Sequence, residues 1–314
     1  MSGENARPTV RIVIPDYNAE TFVRETVESL LAQSYSKVEI IAVNDGSHDK
    51  SSAILKSYED QILTIHQDNM GQAQALNKGW ASSSGDFIGY LSADDTLKPH
   101  AVETLVEILE NHPDHVGVYP DYELIDETGK AIKTVTAPEF SQRDLVVKGI
   151  CQPGPGALFR RSAYERTGGW NPKLRQLPDY DFWLRLSRFG DLLRVPQVLA
   201  GFRVHEGSQS FAPSSFEKAE EPWRVMTDYF SNTAGLQPRL REQESLAMAH
   251  AHLLSARLHW RSGRKLDGHR HLFASVQYSP AAFFSPLGFK RFLSGWLGRI
   301  RYKYQHGIGK IKSN

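Results

Sequence analysis

Two adjacent carboxylates, Asp94 and Asp95, follow directly on the apolar run Phe87-Ile88-Gly89-Tyr90-Leu91. A buried strand that opens onto a charged pair needs a partner for those charges, and at the carboxyl edge of an α/β sheet that partner is commonly a ligand. A divalent cation bridging to a diphosphate fits the place, because it takes one or two carboxylates and fills its other positions with water and phosphate oxygens. Neighbouring side chains in extended chain diverge, so the two aspartates can address different parts of one ligand. A helix N-cap role for Asp95 is the structural alternative, and it leaves Asp94 idle.

Three further groups share this character. Val13-Ile14-Pro15-Asp16-Tyr17-Asn18 ends an apolar run in an aromatic ring able to stack on a base, or simply in a strand-terminating turn. Val43-Asn44-Asp45-Gly46-Ser47 places Asp45 where it accepts an N–H from a base edge or closes an Asx turn. Pro178-Asp179-Tyr180-Asp181-Phe182-Trp183-Leu184-Arg185 sets Asp179 in the first turn of a helix, where the dipole favours a carboxylate.

The elements that hold these groups are legible from period. Val10 to Ile14 and Val38 to Val43 read as buried strands, and Val23, Val27, Leu30 and Leu31 give the intervening segment one apolar helical face. Alternation continues with a helix over Lys50 to Tyr58, a strand over Ile62 to His66, a helix over Gln72 to Ala81 and a strand over Asp86 to Leu91. A helix after Pro99 turns Val102, Leu105, Val106 and Leu109 inward, and Val116 to Tyr119 returns as a strand ending before Pro120. This spacing predicts an α/β fold with a mostly parallel sheet flanked by helices. Beyond Pro120 a hairpin is expected, Glu123 to Asp126 against Ala131 to Val135 with its turn at Gly129, followed by a helix over Asp179 to Phe189 and a strand over Val198 to Val204.

With 37 basic and 36 acidic side chains in 314 residues, no overall field favours nucleic acid. Cys151 is the single cysteine, which excludes an intramolecular disulfide, and Met1 to Pro8 lack the apolar core of a signal peptide. A cytosolic protein is expected. Beyond Pro213 the pattern is helical, with Gln243 to Trp260 the longest segment. From Ala281 onward there are seven basic side chains and no acidic ones among many aromatics. Two readings fit that tail: binding to an anionic membrane surface from the cytoplasmic side, or a helix packed on the catalytic domain with a solvated basic edge.

Taken in order, Pro15-Asp16-Tyr17-Asn18, Asn44-Asp45-Gly46-Ser47, Ser92-Ala93-Asp94-Asp95 and the Asp179 helix closely resemble the family 2 glycosyltransferases over about residues 10 to 210. The resemblance implies a GT-A (Rossmann-like) domain over residues 1–212, with a nucleotide-sugar half at 8–120 and an acceptor half at 121–212. A helical C-terminal region over 213–314 follows it. It implies transfer with inversion of one sugar from a nucleoside-diphosphate sugar, a UDP-sugar in the first instance, to a hydroxyl of a glycan or lipid-linked acceptor in cell-surface polysaccharide synthesis. By the same resemblance Pro15, Tyr17, Asn18, Asp45, Gln72 and Asp94 bind the donor, Asp95 holds Mn²⁺ or Mg²⁺, and Asp179 is the general base. His205 lies in a segment similar to the family's Arg-x-His and approaches the metal, or else is a hydrogen-bonded structural residue. Ser92 stands where many relatives have an additional aspartate, and Pro178 where many have glutamate. The Gln-x-x-Arg-Trp motif and membrane helices of processive synthases are absent, so single addition is expected. A catalytically silent sugar-nucleotide-binding protein and a nucleotidyltransferase are the alternatives, though Pro15 to Asn18 substitutes poorly for a Gly-rich phosphate loop.

Overall fold

The computed structural model describes residues 7–82, 84–205 and 213–295. The positions Glu206 to Ser210 of the Arg-x-His segment, and Trp296 to Asn314 of the basic tail, lie outside them. The chain divides into two compact units. One draws on Met1–Ser141, Cys151–Lys173 and Pro178–Glu206, and the other on Gln142–Ile150, Leu174–Leu177 and Gly207–Asn314.

In the first unit β1 (Val10–Asp16), β2 (Val38–Asp45), β3 (Leu63–Gln67) and β4 (Phe87–Tyr90) are parallel, in the order β3-β2-β1-β4. They are joined by α1 (Val23–Leu31), α2 (Ser51–Lys56) and α3 (Gln72–Ala81). The apolar runs of β1, β2 and β4 become central strands because both their faces are covered, as the full burial of β1 demonstrates, whereas β3 forms the edge and is exposed or half-buried throughout. Helix α4 (Ala101–Asn111) buries Val102, Leu105, Val106 and Leu109, the residues its period assigns inward.

The sheet continues through β8 (Leu158–Arg160), β6 (Gly117–Ile125), β9 (Leu192–Arg203) and the short β5 (Thr96–Leu97). Strand β8 lies antiparallel to both of its neighbours, β4 and β6, whereas β6 and β9 run parallel. Strand β7 (Ala131–Val135) pairs with β6 as the expected hairpin, and Gly129 supplies the positive φ of 81° that its turn needs.

Two sequence expectations are corrected here. The two segments assigned on either side of Pro120 are one strand, β6, and β9 begins at Leu192 instead of Val198. Both misplaced boundaries fall at prolines, Pro120 and Pro196. Pro120 pairs with Val195 while Asp121 pairs with Val198, so Pro196 and Gln197 are the extra residues of a bulge that tolerates a missing N–H.

Helices α6 (Arg161–Thr167) and α7 (Pro178–Leu186) complete this unit, and Pro178 opens α7 as a first-turn proline can. An aromatic cluster lies behind α7. Trp80 of α3 stacks on Phe182 at 5.9 Å and meets Phe159 edge-on at 5.7 Å, while its indole N–H donates to the carbonyl of Gly89 at 2.9 Å.

The second unit holds α5 (Gln142–Val146), α8 (Phe216–Ser231), α9 (Pro238–Arg241), α10 (Glu244–Arg261), α11 (Lys265–Tyr278), α12 (Pro280–Phe284) and helical residues 286–295. Its buried centre is polar. Glu220 accepts from His259 Nε2 at 2.8 Å and His271 Nε2 at 2.6 Å, and the two Nδ1 atoms of His252 and His271 lie 2.8 Å apart. Glu220, His259 and His271 are ligand types within 4.8 Å of one another, yet the network argues against a cation. The Arg264 Nε–H donates to His259 Nδ1, so the proton of that imidazole sits on Nε2, where a metal needs a lone pair.

Candidate functional site

The parallel register lines up the carboxyl ends of the first strands. Asp16 pairs with Asn44 across β1 and β2, and Asp45 pairs with Gln67 across β2 and β3. From this rim the Pro15–Asn18 turn is fastened to the loop after β2. The Asn18 backbone N–H donates to Ser47 Oγ at 3.0 Å, and Asn18 Oδ1 accepts from the His48 N–H at 2.8 Å. Asn18 takes a φ of 51°, a left-handed conformation in which asparagine is tolerated. Pro15 is buried beneath the turn, whereas Tyr17 and Asn18 are exposed above it, so the aromatic ring is available to a ligand.

Asp45 is buried and its carboxylate is fully engaged within the chain. Oδ1 accepts from Gln67 Nε2 at 2.7 Å and the Met70 N–H at 2.8 Å, and Oδ2 accepts from the Gly71 N–H at 2.7 Å. These bonds fix the turn entering α3, where Gly71 has a φ of 89°, and they present exposed Gln72 as the first residue of the helix. Asn77, further along α3, clasps Trp170 reciprocally: its Nδ2 donates to the Trp170 carbonyl and its Oδ1 accepts the Trp170 N–H, each at 2.8 Å.

Asp94 and Asp95 follow β4 and differ sharply in environment. Asp95 is buried, and its Oδ1 accepts the backbone N–H of Arg203 from β9 at 2.9 Å. Burial, then the charge of Asp94, push its carboxyl well above the ordinary range, against the opposing Arg203 backbone bond. Asp94 is partly exposed, with Oδ2 3.0 Å from His205 Nε2. The Phe22 ring lies 4.9 Å from the imidazole.

The Arg203 guanidinium, itself buried, holds this corner. It donates from Nε to the Asp94 carbonyl at 2.8 Å, to the Asp126 and Glu127 carbonyls, and to Glu25 Oε2 at 2.6 Å. A buried and a partly exposed acid side by side, with an imidazole at their edge, form an oxygen-rich donor set that fits a hard divalent cation.

Asp179 sits half-buried in the first turn of α7. Its charge reaches Tyr90, whose hydroxyl is pushed well above its ordinary value by burial, then by Asp179, Cys151 and Asp95 in turn. Burial and then Asp179 also raise the Cys151 thiol. After burial, Tyr90 thus feels the charge of Asp179 more than that of Asp95. Asp181 points away into an ion pair with Arg185 at 2.7 Å.

Sequence reasoning missed Tyr90, Arg203 and Asp16 as parts of this site. Tyr90 is hidden in an apolar run, and Arg203 opens the Arg-x-His segment of which only His205 was given a role, because its place beside β4's exit depends on the pairing of distant strands. Asp16 was visible as an acid at the end of a buried strand; it lies with no exposed surface, bonded through Oδ2 to Asn44 Nδ2 at 2.6 Å and Ser47 Oγ at 3.2 Å.

A mixed, mostly parallel sheet with acids gathered at its carboxyl rim is the architecture of GT-A glycosyltransferases, and comparison with known proteins agrees. Residues 11–168 match the family model described as glycosyl transferase family 2. An uncharacterized glycosyltransferase of Rickettsia typhi is 33% identical over 229 residues, 69% of this chain and 70% of that protein. The chondroitin synthase of Escherichia coli is 28% identical over 71% of this chain and 33% of its own length. Among solved structures, residues 1–349 of S. aureus TarS in complex with UDP-GlcNAc align with a TM-score of 0.69 at 16% identity, covering 95% of this chain and 92% of that one. The mannosyltransferase PcManGT of Pyrobaculum calidifontis, in complex with GDP-Man and Mn²⁺, aligns with a TM-score of 0.62 at 16% identity, over 95% and 87% of the two chains. The chain belongs to glycosyl transferase family 2 and is a glycosyltransferase.

Proposed function

We propose that this enzyme transfers a single sugar, with inversion, from a nucleoside-diphosphate donor to a hydroxyl of a glycan or lipid-linked acceptor. The observation that supports the reading is the meeting of β4's exit with β9, where Asp95 Oδ1 accepts the Arg203 N–H at 2.9 Å and Asp94 Oδ2 lies 3.0 Å from His205 Nε2. Pro15, Tyr17 and Asn18 form the nucleoside floor, Asp45 shapes its wall through the Met70-Gly71 turn, and Gln72 faces the donor from the start of α3. UDP-GlcNAc in TarS and GDP-Man in PcManGT support a nucleotide-sugar donor, with a UDP-sugar the first to test.

Asp94 addresses the ribose. Asp95, with His205 at the edge, would hold Mn²⁺ or Mg²⁺, which supplies charge neutralisation to the leaving diphosphate when bound. Asp179 takes the proton of the acceptor hydroxyl as that oxygen attacks the face opposite the leaving group. Among the described residues no helix is long and apolar enough to cross a membrane. We place the enzyme at the cytoplasmic face of the membrane, building cell-surface polysaccharide, with its basic tail toward anionic lipid.

Replacing Asp179 by Asn tests the assignment. The Asp179→Asn enzyme is expected to keep the donor- and Mn²⁺-dependent rise in melting temperature while transfer falls by roughly a thousandfold or more. Transfer within a few-fold of the parent would remove Asp179 from its role.

A further inference from the structure

The carboxyl end of β1 holds an acid that the proposed reaction does not use. Asp16 has no exposed surface, and the two bonds that reach its Oδ2 come from neutral groups, Asn44 Nδ2 at 2.6 Å and Ser47 Oγ at 3.2 Å. Burying a carboxyl with neutral partners alone costs stability that an apolar side chain of similar size would not. The position directly precedes Tyr17 and Asn18, so what the acid does there can be read from the bonds around it.

Ser47 Oγ accepts the Asn18 N–H and an Asn44 Nδ2 hydrogen, each at 3.0 Å, which occupies both lone pairs of the hydroxyl. Its one proton is left for Asp16 Oδ2. Asn44 is committed as fully: its amide hydrogens go to Asp16 and Ser47, and its Oδ1 accepts the Ser47 N–H at 3.1 Å. Without an acceptor at position 16 the Ser47 proton would face only donors. Buried Ser51 repeats the arrangement, since its Oγ accepts the Ala19 N–H at 2.9 Å and its hydroxyl also acts on the Asp16 carboxyl. The two serines thus receive consecutive N–H groups of the segment after β1, in which Asn18 takes its left-handed φ of 51° and Tyr17 stands 47% exposed.

We propose that Asp16 is a positioning residue for nucleotide recognition: it orients Ser47 and Asn44, which hold Asn18 and with it the Tyr17 ring in the conformation that receives a base. This rests on the nucleoside floor assigned above to Pro15, Tyr17 and Asn18. Asp16 itself touches no substrate. Its contribution is preorganisation, because a turn already held in its binding conformation loses less freedom when the nucleotide arrives.

The test is calorimetric titration of the full-length chain, with Mn²⁺ present, by UDP, by GDP and by pyrophosphate, which carries the diphosphate without a nucleoside. Asp16→Leu is expected to weaken the nucleotide that the parent binds by roughly tenfold and to leave pyrophosphate unchanged. Ser47→Ala is expected to reproduce that selective loss. Asp16→Asn, whose amide oxygen can accept the same two bonds, is expected to restore nucleotide binding. Parent affinity for the nucleotide in Asp16→Leu, an equal loss of pyrophosphate, or no rescue by Asp16→Asn overturns the proposal. Asp16→Ala carries the same expectation as Asp16→Leu, and failure of both to fold makes Asp16 a structural residue and overturns it as well. Tyr17→Ala separates this role from the floor beneath it. Undiminished nucleotide binding by Tyr17→Ala, or no nucleotide binding by the parent, removes the floor and the role of Asp16 together, whereas a loss in Tyr17→Ala that Asp16→Leu does not share overturns the role of Asp16 alone.

Discussion

Asp16 illustrates what a single acid does at the end of a buried strand. Burial raises its carboxyl to about 6, with the hydroxyl of Ser47 and the amide of Asn44 opposing. Its Oδ1 is buried with no hydrogen-bond partner among the described residues. A raised carboxyl keeps its proton in the folded chain, so the stability it contributes is complete below its ordinary value of 3.8 and is lost as pH climbs through about 6. A shift of this size corresponds to about 3 kcal/mol. Asp16→Asn is therefore expected to flatten the fall in denaturation midpoint over that interval and to raise stability at neutral pH, as urea titrations at several pH values would measure. An unchanged slope would mean that Asp16 is already ionised at low pH. At this scale the sequence was partly legible: it singled out Asp45, Asp94, Asp95 and Asp179 as residues of interest, but it could not say that both oxygens of Asp45 would be taken by Gln67, Met70 and Gly71.

At the scale of elements, the aspartate pair is held by two strands that meet only in three dimensions. β4 delivers Asp94 and Asp95, and β9 delivers Arg203, whose backbone orients Asp95 and whose guanidinium ties the Asp94 carbonyl to those of Asp126 and Glu127. Arg203→Met is expected to cost roughly 3–5 kcal/mol, because it leaves several buried acceptors and the Glu25 pair unanswered. Thermal denaturation measures that cost, and a weakened Mn²⁺ response of the melting temperature would accompany it. The expected helix over Gln72 to Ala81 is α3 to the residue, and α4 buries the four residues assigned inward. Period failed at β6 and β9, because their prolines are accommodated by a bulge that depends on pairing between distant segments.

At the scale of the whole molecule, the two units answer acid in opposite senses. In the second unit burial lowers His250 and His252 to about 4, while the bonds from His271, His259 and Trp223 outweigh burial to hold Glu220 at about 2. A lowered histidine binds fewer protons folded than unfolded, so its contribution is present above its ordinary value of 6.5 and fades as pH falls toward about 4. Asp16 and Asp95 in the first unit are raised and gain over the same descent. Calorimetry at pH about 5 is expected to resolve two transitions, with the histidine-rich unit melting first, where neutral solution brings them closer together. One coincident transition at both pH values would show that the units unfold as one. Nothing in the sequence announced the Glu220 network, since its members lie on three helices whose facing residues only packing defines.

The reciprocal clasp between Asn77 and Trp170 joins residues 93 positions apart. A newly made chain can form β1, α1 and β2 while it is still growing, but this clasp must wait until the aromatic cluster and the loop before α7 have emerged. Closing so long a loop is entropically slow. The clasp and the Asp179 helix can thus form only after the first strands have been made, and a product truncated before Trp170 would carry the β1–β2 rim without either.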